Sequence, residues 1–354
     1  MAQRWKQAPE GSHWGEFGPD DQRGRMNLVD RGKVLQGMAE VREGQTFCLS
    51  LPLDLPGGDA LNPRRQPPRH FATLRNGASA GQQGFCWSYA VEDPLLTDVV
   101  NDDVVLMSLQ YSTQWDSLAH VGSHFDADGD GVAESVFYNG FRAGEEIRAA
   151  QADPDAPAPW ARYPGPHAGA LGIERLAEHG VQGRGVLIDL EHHVGRQRTA
   201  VGYDALMRIL EADGIEVEAG DMVCVHTGFA DALLAMNRQP DVQRLHDLGS
   251  GLDGHDPRLL NWIVDVRLAC LIADNPAVEL TGVSLQTPTP LRRPRLPLHE
   301  HCLFKNGIHL GELWYLTELA RWLRGHGRSR FLLTAPPLRL PGAVGSPATP
   351  IATV

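Results

Sequence analysis

Four short apolar runs, each closed by polar residues and set apart by stretches long enough for helices, constrain this chain more than any other feature. They are residues 185–190 (GVLIDL), 222–226 (MVCVH), 268–273 (LACLIA) and 331–334 (FLLT). Runs this short and this uniformly apolar read as strands buried on both faces. Residues 170–179, 203–213 and 257–264 between them have helical spacing, and 312–323 is the clearest amphipathic helix, with Leu313, Leu316, Leu319, Ala320 and Leu323 on one face. Strands alternating with helices place the chain in the α/β class. Upstream, 47–53 (FCLSLPL) reads as a strand, and 104–110 (VVLMSLQ) as a buried strand that delivers chemistry at its end. Residues 54–84 are a long polar, Pro/Gly-rich excursion. The proline-rich 150–166 is either a domain boundary or a surface loop. No internal repeat is present.

With 42% hydrophobic and 21% charged residues, a 354-residue chain can bury a substantial core. Its net charge of −12 argues against nucleic acid or an anionic membrane as partner. The basic run 292–295 (RRPR) is the local exception and reads as a solvated loop. No stretch approaches the ~18 apolar residues of a membrane span, and residues 1–9 lack the apolar region of a secretory signal. The five cysteines are odd in number, scattered and without a CxxC pair. That fits reduced, mostly buried thiols in a cytoplasmic protein.

Two motif matches carry little weight. Residues 77–81 (GASAG) fit GxSxG without the strand and helix a nucleophile elbow requires. Residues 249–254 (GSGLDG) fit GxGxxG without a preceding strand. Asp126, Asp128 and Asp130 reproduce the start of an EF-hand loop, but Phe137 stands where the closing Glu belongs. The alternatives are a Ca²⁺ site and an acidic turn capped by its own backbone. The strongest constellation is 110–120 (QYSTQWDSLAH), in which Asp116 and His120 can hold a divalent metal and move a proton. Such a pair is also compatible with a purely structural role.

This segment resembles the signature His-x-Gly-Thr-His-x-Asp-x-Pro-x-His of the cyclase family that includes kynurenine formamidases and isatin hydrolases. The resemblance spans nearly the whole chain and is strongest to the longer, bacterial branch. It is supported by residues 14–21 (WGEFGPDD), 137–140 (FYNG), 273–276 (ADNP), 307–312 (GIHLGE) and 341–347 (PGAVGSP). Thr113, Asp116 and His120 match. Gln110 and Gln114 stand where the formamidases place two metal-binding histidines, Ser112 replaces glycine and Leu118 replaces proline. The resemblance implies that Asp116 binds or bridges metal and that His120 is the catalytic acid/base. His301 and Glu312 would complete the metal site, with His299 a rival to His301 because the spacing is one residue short. A carboxamide oxygen is a far poorer ligand than imidazole for Zn²⁺ or Mn²⁺. One divalent ion, Mn²⁺ or Zn²⁺, is therefore expected, with a metal-free protein the alternative.

The resemblance further implies a mixed β-sheet core wrapped by helices in one domain over 1–354, assembled as a homodimer or homotetramer. Within it, about 1–45 form an N-terminal extension and about 335–354 a Pro/Gly-rich tail. The implied reaction is hydrolysis of an amide C–N bond, cyclic or aryl-linked, in a small molecule. Trp115 and Trp87 are candidates to stack on a planar substrate, or else core residues. Thr113 and His226 are candidate pocket residues, and His192 and His193 have weaker claims. A metal-free lyase, dehydratase or cyclase using Asp116 and His120 alone remains an alternative, as does a non-catalytic binding protein.

Overall fold

The structure is a computed structural model and describes residues 4–156, 161–282 and 293–354. Part of the 150–166 connection and Arg292 of the basic run lie outside the described residues. Nine strands form the main sheet: β1 (Thr46–Cys48), β2 (Gln114–Asp116), β3 (Gln182–Asp189), β4 (Met222–His226), β5 (Cys270–Ala273), β6 (His309–Glu312), β7 (Arg330–Thr334), β8 (Gly345–Pro347) and β9 (Ile351–Thr353). Their spatial order is β1-β9-β7-β3-β4-β5-β6-β2-β8. β3 through β6 run parallel, and every flanking pair is antiparallel, so the sheet is mixed.

Strand alternation divides the apolar runs between two cores. Val186, Ile188, Val223, Val225, Leu271, Ala273 and Leu310 face one cluster, while Leu187, Met222, Cys224, Cys270 and Ile272 face the other. Helices cover both faces, which is why these strands are apolar throughout. α1 (Arg31–Ala39) packs along β3, and the fit requires glycine: a Cβ on Gly37 would come within 2.6 Å of the Gly183 carbonyl carbon. α2 (Tyr203–Ala212) and α3 (Pro257–Asp265) insert Leu206, Ile209, Leu259 and Ile263 into the first cluster. Asp256 caps α3 through Arg258 N (2.9 Å) and also accepts from Tyr203 N (2.7 Å) at the start of α2. α4 (Thr317–Gly325) closes the second cluster with Leu319, Ala320 and Leu323.

Three local expectations differ. The Pro/Gly-rich C-terminus is not a tail beyond the sheet but supplies β8 and β9. Residues 103–106 are strand, yet they pair only with Arg69–Ala72 in a two-stranded ribbon, leaving Val104, Val105 and Leu106 exposed. Nothing in an apolar run says whether a second layer will cover it. Glu312 ends β6 rather than opening a helix, which begins at Thr317. Three cysteines are buried and two, Cys48 and Cys86, are exposed. All are free thiols. No helix among the described residues is long and apolar enough to cross a membrane.

One buried group sets a pH limit on this fold. His309 of β6 is fully buried and its Nδ1 has no hydrogen-bond partner among the described residues. Burial pushes its pKa from 6.5 down to about 3, and nearby His179 acts in the same direction. The unfolded chain therefore binds a proton that the folded chain refuses. Its stabilising contribution is complete above pH 6.5 and is lost as pH falls toward 3. Denaturant titrations should show stability declining below pH 6.5 with a shallower decline in His309→Gln. Equal slopes in the two proteins would contradict this account.

Candidate active site

Register builds the site. β6 pairs with β2 so that Glu312 lies opposite Gln114 and Leu310 opposite Asp116. Gln114, Asp116 and Glu312 therefore share one face of the sheet, while Trp115, between them in sequence, points to the other. All three polar side chains are buried. The Gln114 amide Nε2 donates to Asp116 Oδ1 (3.1 Å) and to Glu312 Oε2 (3.0 Å), clamping the two carboxylates.

His299 enters from the short turn Pro297–His299, which leads into the π-type helix Glu300–Lys305. Its partner is Glu279, which accepts from the backbone N–H of Leu298 and His299 (3.2 Å each) and from His299 Nδ1 (2.8 Å). With Nδ1 so engaged, Nε2 faces Glu312 Oε1 at 3.0 Å. Burial alone would lower the His299 pKa, but hydrogen bonds to Glu279 and Glu312 and the charge of Asp116 raise it to about 10. Burial and the adjoining Asp116 charge push Glu312 upward, with His299 opposing.

The donor atoms of Asp116, His299 and Glu312 lie within 4.8 Å of one another. Asp116 Oδ2 is buried and has no hydrogen-bond partner among the described residues. An orphaned buried carboxylate oxygen beside a histidine and a second carboxylate fits a divalent cation, whose charge would satisfy it. His120 stands at the mouth, its side chain 23% exposed and its Nε2 3.8 Å from Asp116 Oδ2, beyond a direct hydrogen bond. Burial lowers its pKa, assisted by the positive charges of His299, Arg65 and Arg64 and opposed by Asp116. A neutral imidazole there can accept a proton.

The other candidates fall as follows. The Gln110 amide occupies the space over Gly345, the residue registered with Asp116. Of the two rival histidines, His299 joins the cluster. The neutral His301, its pKa lowered to about 4 by burial, instead sits 3.3 Å from Asn306 Nδ2. Trp115 is wholly buried, packed edge-on against Trp314 and bonded to the Ala335 carbonyl (2.7 Å), which places it in the core. Thr113 Oγ1 donates to the Leu313 carbonyl (2.6 Å) and accepts from Leu51 N (2.9 Å), tying β2 to its neighbours. Trp87 sits in a separate small ribbon beneath the Arg75 guanidinium. His226 belongs to a second polar cluster with Asp189 and Glu191. His192 and His193 are exposed, and His193 pairs with Asp213 at 2.9 Å. Asp126, Asp128 and Asp130 converge in a loop whose backbone N–H groups at Gly129 (2.7 Å) and Gly131 (2.9 Å) bond to Asp126. Glu279 and the loop arginines are the residues that sequence reasoning missed. A lone Glu within residues 276–282 carries no motif.

A mixed sheet wrapped by helices, with a buried acid–histidine cluster at one side, defines a class of α/β protein. The family described as "Cyclase: Putative cyclase" matches residues 49–280, and the chain belongs to that family. No curated protein is matched. A crystal structure of a novel cyclase is 29% identical, with TM-score 0.71, covering 97% of this chain and 99% of that one. Isatin hydrolase A from Ralstonia solanacearum is 14% identical, with TM-score 0.52, over 87% of this chain and 91% of that one. Isatin hydrolase A from Labrenzia aggregata, bound to benzyl benzoate, is 14% identical, with TM-score 0.54, over 91% and 97%. The last two share the fold.

Gln114→Leu removes the one amide that donates to both carboxylates. In chelator-treated protein it should lower unfolding stability by about 1–3 kcal/mol or more, the usual penalty for stripping a buried polar group of its partner. Stability equal to wild type in a denaturant titration would mean that the clamp is dispensable.

Proposed function

We propose that this chain is a metal-dependent hydrolase that cleaves the C–N bond of an amide, cyclic or aryl-linked, in a small molecule. The observation that carries this reading is the unpartnered, buried Asp116 Oδ2 facing His299 and Glu312. Those three residues would hold the ion, and their mixed nitrogen and oxygen donors suit Zn²⁺ or Mn²⁺. When bound, a divalent ion supplies carbonyl polarisation and a more acidic water.

The chain's own residues account for the rest. Glu279 fixes the His299 ring so that Nε2 points inward, the arrangement in which an outer carboxylate orients a ligand histidine. Ligation displaces the proton that His299 otherwise carries, so binding should release acid. Neutral His120, partly open to solvent, takes a proton from water and returns it to the leaving nitrogen. The fold shared with proteins named isatin hydrolase is consistent with this reading. A metal-free acid–base reaction is the second reading, favoured by one observation: the His299 ring already bridges Glu279 and Glu312.

Elemental analysis of protein purified without chelator, together with turnover of a panel of aryl amides and lactams, tests the proposal. Asp116→Asn should lose both metal and turnover, whereas His120→Gln should keep its metal and lose turnover by about 10²–10⁴-fold. Metal-free protein that turns over would favour the second reading.

The glutamines give an independent test. With carboxamides at Gln110 and Gln114, wild type should hold no more than one transition ion per chain. Replacing both with histidine should raise the stoichiometry, because imidazole is the better ligand. Two ions in wild type would show that other side chains supply a second site.

A further inference from the structure

Most arginines near acidic groups in this protein are paired: Arg142 with Glu134, Arg184 with Asp221, Arg196 with Glu191, Arg258 with Asp204. Arg65 is not. The only polar contact of its side chain among the described residues is Nη1 donating to Gln114 Oε1 at 3.5 Å. The side chain is half-buried, and its charge is felt at His120 and Glu312. Neighbouring Arg64 likewise forms no ion pair among the described residues and also acts on His120.

The acids do not need Arg65 as their counter-ion. Gln114 already donates to Asp116 and Glu312, and His299 bridges Glu312 and Glu279. Counted with a divalent ion, the three carboxylates of this region (Asp116, Glu312 and, behind His299, Glu279) and the two guanidiniums would leave one positive charge over. The arginines also sit on an anchored loop. Tyr111 Oη donates to the Gly58 carbonyl (2.6 Å) and accepts from Gly57 N (3.0 Å), and Gln66 N donates to Ser108 Oγ (2.9 Å). An anchored guanidinium without an ion-pair partner among the described residues, reaching Gln114 at the edge of the acid cluster, is suited to bidentate capture of a carboxylate.

We propose that Arg65 binds a carboxylate carried by the substrate, so that the preferred amides are anionic, with Arg64 adding charge. The proposal rests on the hydrolase reading and names its substrate class.

The test uses the full chain as wild type, Arg65→Lys and Arg65→Gln, with melting temperature confirming the fold of each. Benzoate binding, followed by calorimetry against benzamide as neutral control, should weaken by about tenfold or more in Arg65→Gln, the share expected of a charge-assisted hydrogen bond. Arg65→Lys should lose less, and benzamide should be unaffected. In turnover, KM for 2-acetamidobenzoate should rise by a similar factor while KM for its methyl ester stays constant. Benzoate binding equally well to wild type and Arg65→Gln overturns the proposal. Benzoate discrimination without KM discrimination also overturns the substrate class, because Arg65 would then hold the carboxylate that hydrolysis releases. If no amide is turned over yet benzoate discrimination persists, the hydrolase reading fails and the arginine assignment stands.

Discussion

The structure depends on keeping Asp116 and Glu312 side by side out of water. A buried carboxylate is expensive unless hydrogen bonds or opposite charge replace its lost hydration. Here the replacement is specific: one amide of Gln114 bridges both acids, and His299 adds a positive charge that Glu279 holds in place. This explains why a strand of three residues, β2, lies antiparallel between β6 and β8. Only that register puts Gln114 opposite Glu312 and leaves Trp115 to fill the other core. A one-residue slip of β2 would bring the indole beside Glu312 and turn Gln114 and Asp116 into the apolar layer.

Three of the four parallel strands, β3, β4 and β5, were legible because each is an apolar run buried on both faces, and β4 matches its run residue for residue. The fourth, β6, reads HLGE and has no apolar run to announce it. Asp116 and His120 were legible through their spacing. What escaped did so for physical reasons. β8, which ends in Pro347, and β9, which follows Pro350, are three residues long, too short for alternation to register. The run at 103–106 has the composition of a buried strand, but coverage by another layer is a tertiary property. Spacing could not choose between His299 and His301, since both lie near the start of one helical segment. The choice is made by Glu279, twenty residues upstream, which captures the backbone and ring of His299. Arg65 was invisible because an arginine in a Pro-rich loop is ordinarily solvated. Its meaning comes from Gln114 beneath it.

The molecule contains a second buried polar cluster, and comparison with it shows what distinguishes a site from a scaffold. His226, Asp189, Glu191 and Asp274 gather at the ends of β3, β4 and β5, where ligands often bind in parallel sheets. The ring nitrogens of His226 and the carboxylate oxygens of Asp189 and Asp274 are all engaged within the protein. His226 bonds Asp189 (2.8 Å) and Thr317 (3.1 Å), Glu191 pairs with Arg196, and Asp274 accepts from Thr227 N (2.7 Å), Thr227 Oγ1 (2.6 Å) and Gly228 N (2.8 Å). Burial would lower the His226 pKa, yet Asp189 and the neighbouring acids raise it, and the ring ties the end of β4 to Asp189 of β3 and Thr317 of α4. The Asp116 cluster has the same ingredients but leaves one carboxylate oxygen without a hydrogen bond among the described residues, and the ring of His120 stops 3.8 Å from it. A closed network spends its polarity on holding strands together, whereas an open one retains it for something that arrives from outside. By that criterion we place the proposed chemistry at β2 and β6, and assign the histidine at the end of β4 to the frame.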